Sequence, residues 1–202
     1  MDDVLELLKA VQFGIIAHGK QQRKTGGPYI THPIDAAMIL LQEGVTDMST
    51  LQAAILHDVV EDTKTTLDEI REAFGDKVAS IVFEVTDDKT LKASQRKQVQ
   101  ISHMPHMTYE AKLVKYADKI SNVGGLVKAV PPSWSALRVQ GYAVWCREAM
   151  KTVHGTHQSL ERRLANVLRQ SVCFEGNQIP LIPDNLNIDE FLENYYNMVD
   201  SK

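Results

Sequence analysis

An all-α fold is what this sequence predicts, and three observations carry the expectation. Apolar residues recur at helical spacing through nearly the whole chain. No alternating strand pattern of convincing length occurs before Cys173. The breaks between periodic stretches carry glycine, proline or a capping signature, the usual ends of helices. At 202 residues, 44% hydrophobic and 24% charged, the chain suits one domain with a substantial core.

Val4, Leu7, Leu8, Val11 and Ile15 follow one stripe and predict a first helix over about residues 2–19. Gly26-Gly27-Pro28 marks a loop, approached by the basic residues Lys20, Arg23 and Lys24. Pro33 suits the first turn of a second helix, where its missing N–H costs nothing. Ile34, Ala37, Met38 and Leu41 are expected to form its buried face, and Gly44 to end it. A third helix starts near Ser49 or Thr50 and runs through Leu51, Ala54, Ile55 and Leu56. Thr66 and Glu69 form a capping box for a short fourth helix that stops at Phe74-Gly75. Val78, Ile81, Val82 and Val85 continue as a fifth. Helices over Lys92 to Ile101 and Tyr109 to Val130 are separated by Pro105. After Pro131-Pro132, a last pair spans Trp134 to Val153 and His157 to Val172. Pro180 and Pro183 forbid helix from Ile179 to Pro183, so that stretch is read as extended. Ile188, Phe191, Leu192 and Tyr195 then predict a short amphipathic helix docked on the body.

The 22 basic and 26 acidic residues leave a formal charge of −4, which argues against a broad nucleic-acid-binding surface. From Glu175 onward there are six acids against Lys202 alone, so the body is near neutral and the tail is acidic. Cys146 and Cys173 stand far apart, which argues against a disulfide framework and a zinc ribbon. The start, Met1-Asp2-Asp3, lacks a basic-then-apolar leader. No apolar run approaches about 18 residues, so no membrane contact is expected. A cytoplasmic compartment is the simplest reading, with a nuclear one left open.

Chemistry concentrates in Leu56-His57-Asp58-Val59-Val60-Glu61-Asp62-Thr63. On one continuous helix, His57 and Glu61 share a face, and Asp58 and Asp62 share its neighbour. Four polar groups at the edge of a core segment are unfavourable unless paired or bound to a metal. Singly, each signal has a plainer explanation. Glu61 or Asp62 can be a solvated helix-end acid, His32 a helix-start residue, and Asp118 a partner for Lys115 or Lys119. Pro105 breaks the helix that would align His103 with His106, and His154 and His157 read as loop residues beside Gly155. Trp134 and Trp145 read as core.

Together His32, His57, Asp58 and Asp118 stand in the order H…HD…D. Further matching stretches are Gly27-Pro28-Tyr29 before Thr31-His32-Pro33, Phe74-Gly75, Val85-Thr86-Asp87-Asp88-Lys89, and Lys112-Leu113-Val114-Lys115-Tyr116-Ala117-Asp118-Lys119. On these residues the chain resembles the HD superfamily of metal-dependent phosphohydrolases. More closely, it resembles the hydrolase domain of RelA/SpoT alarmone enzymes and its small stand-alone metazoan type. The resemblance covers about residues 4–172. It implies a single HD-domain helical bundle over 1–173; the acidic C-terminal extension over 174–202 matches nothing in that family and is read from its own composition.

The resemblance implies one divalent metal, typically Mn²⁺, on His32, His57, Asp58 and Asp118. Mixed imidazole and carboxylate ligands suit Fe²⁺ or Zn²⁺ as well. It implies that Glu61 acts as base toward the attacking water and that Asp62 supports it. For a phosphate-rich substrate it implies Arg23 and Lys24, with Lys20 beside them, and Lys97, Lys112 and Lys115 from the matched stretches. Asn122, Arg138 and Tyr142 match positions near the nucleotide. One departure stands out: Val123-Gly124-Gly125 occupies the place where relatives carry an apolar residue, an Arg, and an acid or polar residue.

The implied reaction is Mn²⁺-dependent removal of the 3′-pyrophosphate from guanosine tetra- or pentaphosphate. The 2′-phosphate of NADPH is a second possible substrate, since both reactions cleave a phosphoester on a ribose hydroxyl. With no room for a synthetase domain, degradation alone is expected. Two alternatives stand beside this. One is a general HD nucleotidase, against which the Arg23-Lys24 loop and the Thr86 to Lys89 stretch argue. The other is a non-catalytic nucleotide-sensing module whose tail meets a protein partner, a reading to which Gly124-Gly125 lends weight. Apart from that tail contact, the partner expected is a small-molecule nucleotide, and no motif speaks to oligomeric state.

Overall fold

Helix α3 (Met48–Leu56) lies at the centre of the molecule, with every residue from Thr50 to Leu56 buried. Its start is set by Asp47, whose carboxylate accepts from Thr50 N at 2.9 Å. In this computed structural model, which describes residues 2–201, α1 (Asp2–His18), α2 (Thr31–Gln42), α6 (Asp76–Val85) and α8 (Tyr109–Lys128) pack around it. Met1 and Lys202, the base counted in the tail, lie outside the described residues. The short helices α4 (Val59–Asp62) and α5 (Leu67–Phe74) follow α3, and α5 lies on α6. A second layer holds α7 (Ala93–His103), α9 (Ala136–Lys151), α10 (Gln158–Leu168) and α11 (Ile188–Asp200). There α10 packs on α8, and α11 packs on α9 and α7. No described helix is long and apolar enough to cross a membrane.

The fold is all-α. Among the described residues its sheet is one antiparallel hairpin, β1 (Ser171–Phe174) with β2 (Asn177–Pro180), in which Ser171 faces Pro180 and Phe174 faces Asn177. This shortens the last helix of the body, which ends at Leu168 rather than Val172. Glu175 and Gly176 have positive φ values of 49° and 80°, the backbone that a tight two-residue hairpin turn requires.

Two expected buried faces are corrected. On α2, Met38 and Leu41 are 50% and 44% exposed, whereas Ala36, Ala37, Ile39 and Leu40 are buried. On α1, Val4, Leu8 and Ile15 of the apolar stripe are exposed, and Ala10, Gly14 and His18 face inward. The small residues Ala10 and Gly14 lie on the inward face of α1, and Ala36 and Ala37 lie beside Ile39 and Leu40 on that of α2. At Gly14 an added Cβ would meet Ile30 Cδ1 at 2.8 Å.

The capping box is present. Thr66 Oγ1 accepts from Glu69 N at 3.3 Å, and Glu69 Oε2 accepts from Thr66 N at 2.7 Å. Thr66→Ala is expected to lower stability by about 1 kcal/mol. A urea midpoint unchanged from wild type would contradict that assignment.

Candidate active site

The helix carrying the HD pair is broken. α3 stops at Leu56 and α4 begins at Val59, so His57 and Asp58 sit in the turn between them. This corrects the shared-face argument, since His57 and Glu61 do not lie on one continuous helix. The turn aims both side chains inward. His57 Nδ1 lies 2.8 Å from the Ala54 carbonyl, which can only accept, so Nδ1 carries a proton and Nε2 is left for another partner. That Nε2 is buried and faces the carboxylates of Asp58 and Asp118.

Two other helices complete the cluster. His32, in the first turn of α2, is fixed through Nδ1 by Ser121 Oγ of α8 at 2.9 Å. One turn earlier on α8, Asp118 Oδ1 lies 3.2 Å from His32 Nε2 and 3.7 Å from His57 Nε2. Donor atoms of His32, His57 and Asp118 all lie within 4.8 Å of one another, as a shared divalent ion requires. Asp58 Oδ2 joins them, 3.2 Å from His57 Nε2 and 3.7 Å from His32 Nε2. Two imidazoles and two carboxylates form a donor set suited to a divalent transition ion.

The electrostatics favour a cation at this point. Burial opposes charge on His57, yet Asp58 and Asp118 push its imidazole up to about 10. Burial likewise opposes ionisation of Asp118, but Lys119 and the two imidazoles hold its carboxyl well below the usual range. The surrounding shell is specific. Lys119 Nζ lies 2.9 Å from Asp118 Oδ2, Asn122 Nδ2 donates to Asp118 Oδ1 at 2.5 Å, and Tyr29 OH donates to Asp58 Oδ2 at 2.6 Å. Burial, and then Asp58, raise the Tyr29 phenol, which keeps it a proton donor. Such partners fix the orientation of metal-ligating groups.

Glu61 and Asp62 follow at the end of α4. Glu61 Oε2 accepts from Asp87 N at 3.2 Å, and Lys89 Nζ lies 3.7 Å from Glu61 Oε1 while pairing closely with Asp62. Burial, and then the charges of Asp87 and Asp58, raise the Glu61 carboxyl above its ordinary range. Gln100 Nε2 in turn holds Asp87 at 2.6 Å. The Thr86 to Lys89 stretch therefore braces the acid pair.

Beside the cluster opens a cavity of about 440 Å³, whose lining includes Arg23, Lys24, Asp62, Asn122, Trp134 and Tyr142. Arg23 Nη2 donates to Asn122 Oδ1 at 3.1 Å, and Asn122 also holds Asp118, so one amide links the basic loop to the cluster. The guanidinium lies over the Tyr29 ring, 3.7 Å from where a Cβ on Gly125 would stand. Gly124 and Gly125 are helical here, and the bare backbone at 125 leaves room for Arg23.

The remaining candidates are dispersed. Lys24 and Arg138 flank the Trp134 ring at 5.6 and 4.8 Å. Trp134 is thus half-buried in the cavity wall rather than in the core, a correction that follows from α9 starting only at Ala136. Lys20, Lys97, Lys112 and Lys115 are not among the lining residues. Lys20 is exposed, and Lys115 donates to the Val85 carbonyl at 2.7 Å. Lys97 lies over Trp145 and Tyr142, where burial and then Lys119 push its ammonium down to about 7. A larger cavity of about 790 Å³ between α9, α10 and the tail shares no residue with the cluster. Sequence reasoning missed Tyr29 and Ser121, while the Lys119 partner it offered for Asp118 is present. Tyr29 lies in a quoted stretch, whereas nothing local marks Ser121.

The HD domain family model matches residues 10–151. The human guanosine-3′,5′-bis(diphosphate) 3′-pyrophosphohydrolase MESH1 is 47% identical over 171 residues, 83% of this chain and 96% of that protein. The Drosophila melanogaster MESH1 is 37% identical over 168 residues, 82% of this chain and 94% of its own. Among solved structures, a metazoan SpoT orthologue that hydrolyses ppGpp superposes with a TM-score of 0.79 at 36% identity, covering 81% of this chain and 94% of that one.

Proposed function

The chain belongs to the HD domain family, and from that membership we propose that it removes the 3′-pyrophosphate from guanosine tetra- and pentaphosphate in a Mn²⁺-dependent reaction. The observation that carries this reading is the convergence of His32, His57, Asp58 and Asp118 beside a cavity walled by Arg23 and Lys24. Those four residues would hold the ion. When bound, it supplies Lewis acidity toward a phosphoryl oxygen and lowers the pKa of water.

The protein's own groups supply the rest. Arg23 and Lys24 bind the phosphates, and Asn122 orients Arg23 relative to Asp118. Trp134 and Tyr142 offer ring faces to the base. Water adds to the phosphorus on the ribose 3′ oxygen as the P–O3′ bond breaks, Glu61 takes the proton from that water, and the 3′ oxygen gains a proton as it departs, which gives GDP or GTP and free pyrophosphate. Asp62 and Lys89 hold Glu61 in place. A 2′-phosphate on a ribose presents the same type of ester, so NADPH is the second substrate.

The test is product analysis of purified protein with Mn²⁺ and each nucleotide in parallel. GDP and pyrophosphate from the tetraphosphate are expected, and no product despite bound metal would overturn the reading. NADH and phosphate from NADPH would establish the second activity. Arg23→Ala is expected to raise KM for the tetraphosphate by roughly tenfold or more, from the loss of a charge-assisted contact. An unchanged KM would remove Arg23 from the binding site.

A further inference from the structure

Helix α11 lies outside the span matched by the family model, yet it is fastened to the helices that back the cavity. Asp200 accepts from Ser94 N at 2.9 Å and from Ser94 Oγ at 2.5 Å, which ties its end to the start of α7. Tyr195 is 2% exposed and packs against α9 at Gly141. A Cβ on Gly141 would stand 2.3 Å from Tyr195 Cδ2 and 2.5 Å from Cγ, so only glycine leaves room for the ring. Glycine in a helix interior is unfavourable by itself, and here it makes the notch that the ring fills.

The notch adjoins the cavity wall. Tyr142, the next residue, lines the cavity, and Trp145 follows one turn later. Between α7, α9 and α11 the Lys97 ammonium is surrounded by rings. It lies 3.8 Å from the centre of Trp145, 5.1 Å from Tyr142 and 5.5 Å from Tyr195. Trp145 Nε1 donates to the Lys97 carbonyl at 3.0 Å, which fixes α7 against α9. Tyr195 closes this cage from the tail side. The contact is made by the ring, whose centre is the point 5.5 Å from the ammonium.

We propose that α11 is a positioning strap for the cavity, and that Tyr195, locked in the Gly141 notch, holds Lys97 against Trp145 and Tyr142 and so fixes the wall that Tyr142 presents to the nucleotide. The proposal rests on the reading that this cavity takes the nucleotide. Tyr195 is a positioning residue, touching neither the substrate nor the acid and imidazole cluster.

The experiment compares wild type, Tyr195→Ala, Tyr195→Phe, Gly141→Ala and the Gly141→Ala/Tyr195→Ala double variant. Each is measured for KM and kcat with guanosine tetraphosphate, for thermal melting, and for tryptophan emission without nucleotide. Tyr195→Ala is expected to raise KM by about five- to tenfold with kcat within about twofold of wild type, the scale of one lost ring–cation contact. Tyr195→Phe keeps the ring and should match wild type. Gly141→Ala should reproduce Tyr195→Ala by expelling the ring, and should add nothing once Tyr195 is gone. Tryptophan emission should change in Tyr195→Ala, because Lys97 is no longer held over Trp145.

A KM unchanged in Tyr195→Ala, or a Gly141→Ala effect that persists in full without Tyr195, overturns the strap and leaves the hydrolase reading standing. Failure of wild type to turn over the tetraphosphate overturns that reading instead. The emission spectra then decide the cage by themselves: a changed spectrum in Tyr195→Ala supports it, and an identical one overturns it.

Discussion

Asp58→Asn is expected to remove both bound metal and turnover while the protein stays folded. Asn preserves the shape of the side chain and still accepts from Tyr29 OH, the bond that is 2.6 Å long in the wild type. What disappears is the negative charge opposite His57 and His32. Loss of an outer partner alone weakens metal binding by about 10- to 100-fold, so loss of a direct ligand should exceed roughly a hundredfold. The equivalent change at Asp118 would mislead. Lys119 is buried against Asp118, and leaving that ammonium unpaired costs about 3–5 kcal/mol of stability. Metal content and a melting curve on Asp58→Asn separate the two effects. A variant that retains full metal and activity would refute the ligand assignment.

The second large effect is expected at Glu61. Glu61→Gln keeps the acceptor for Asp87 N but cannot take a proton, and kcat should fall by about 10²- to 10⁴-fold with metal content unchanged. The pH profile gives an independent check. Burial, and then the charges of Asp87 and Asp58, raise the Glu61 carboxyl. A base works only when ionised, so the rate should climb with pH through that raised value, above the ordinary carboxylate range. Asp87→Asn removes one of the negative charges and should move this acid limb to lower pH. An acid limb that survives in Glu61→Gln would assign it to another group.

Much of the candidate site is legible in the chain because its residues come in tight local runs. The HD pair, the Glu-Asp pair one turn later and the Arg-Lys loop before His32 each occupy a few consecutive positions. The break at His57-Asp58 left no such mark. His57 keeps a helical backbone at φ −59°, ψ −29°, and Asp58 stays close to one at −99°, −7°. No glycine or proline is needed there, and the turn is set by what α3 and α4 pack against. The buried faces of α1 and α2 differ from the expected ones for a related reason. Hydrophobic size marks Val4, Leu8, Met38 and Leu41, but the buried positions include the small residues Ala10, Gly14 and Ala36, together with Ile39 and Leu40. The hairpin at Ser171 escaped because each strand is four residues long, too short for alternation to show. Trp134 read as core by its apolar neighbours, and only the late start of α9 turns it toward Lys24 and Arg138.

The most direct measurement strips the protein with a chelator, adds Mn²⁺ back in steps, and follows pyrophosphate released from guanosine tetraphosphate, with Asp58→Asn run alongside. The account predicts no product from the stripped enzyme, recovery that saturates near one ion per chain, and none at any Mn²⁺ concentration that saturates the wild type for Asp58→Asn. Undiminished pyrophosphate release from the stripped enzyme, or full recovery by Asp58→Asn, would contradict it.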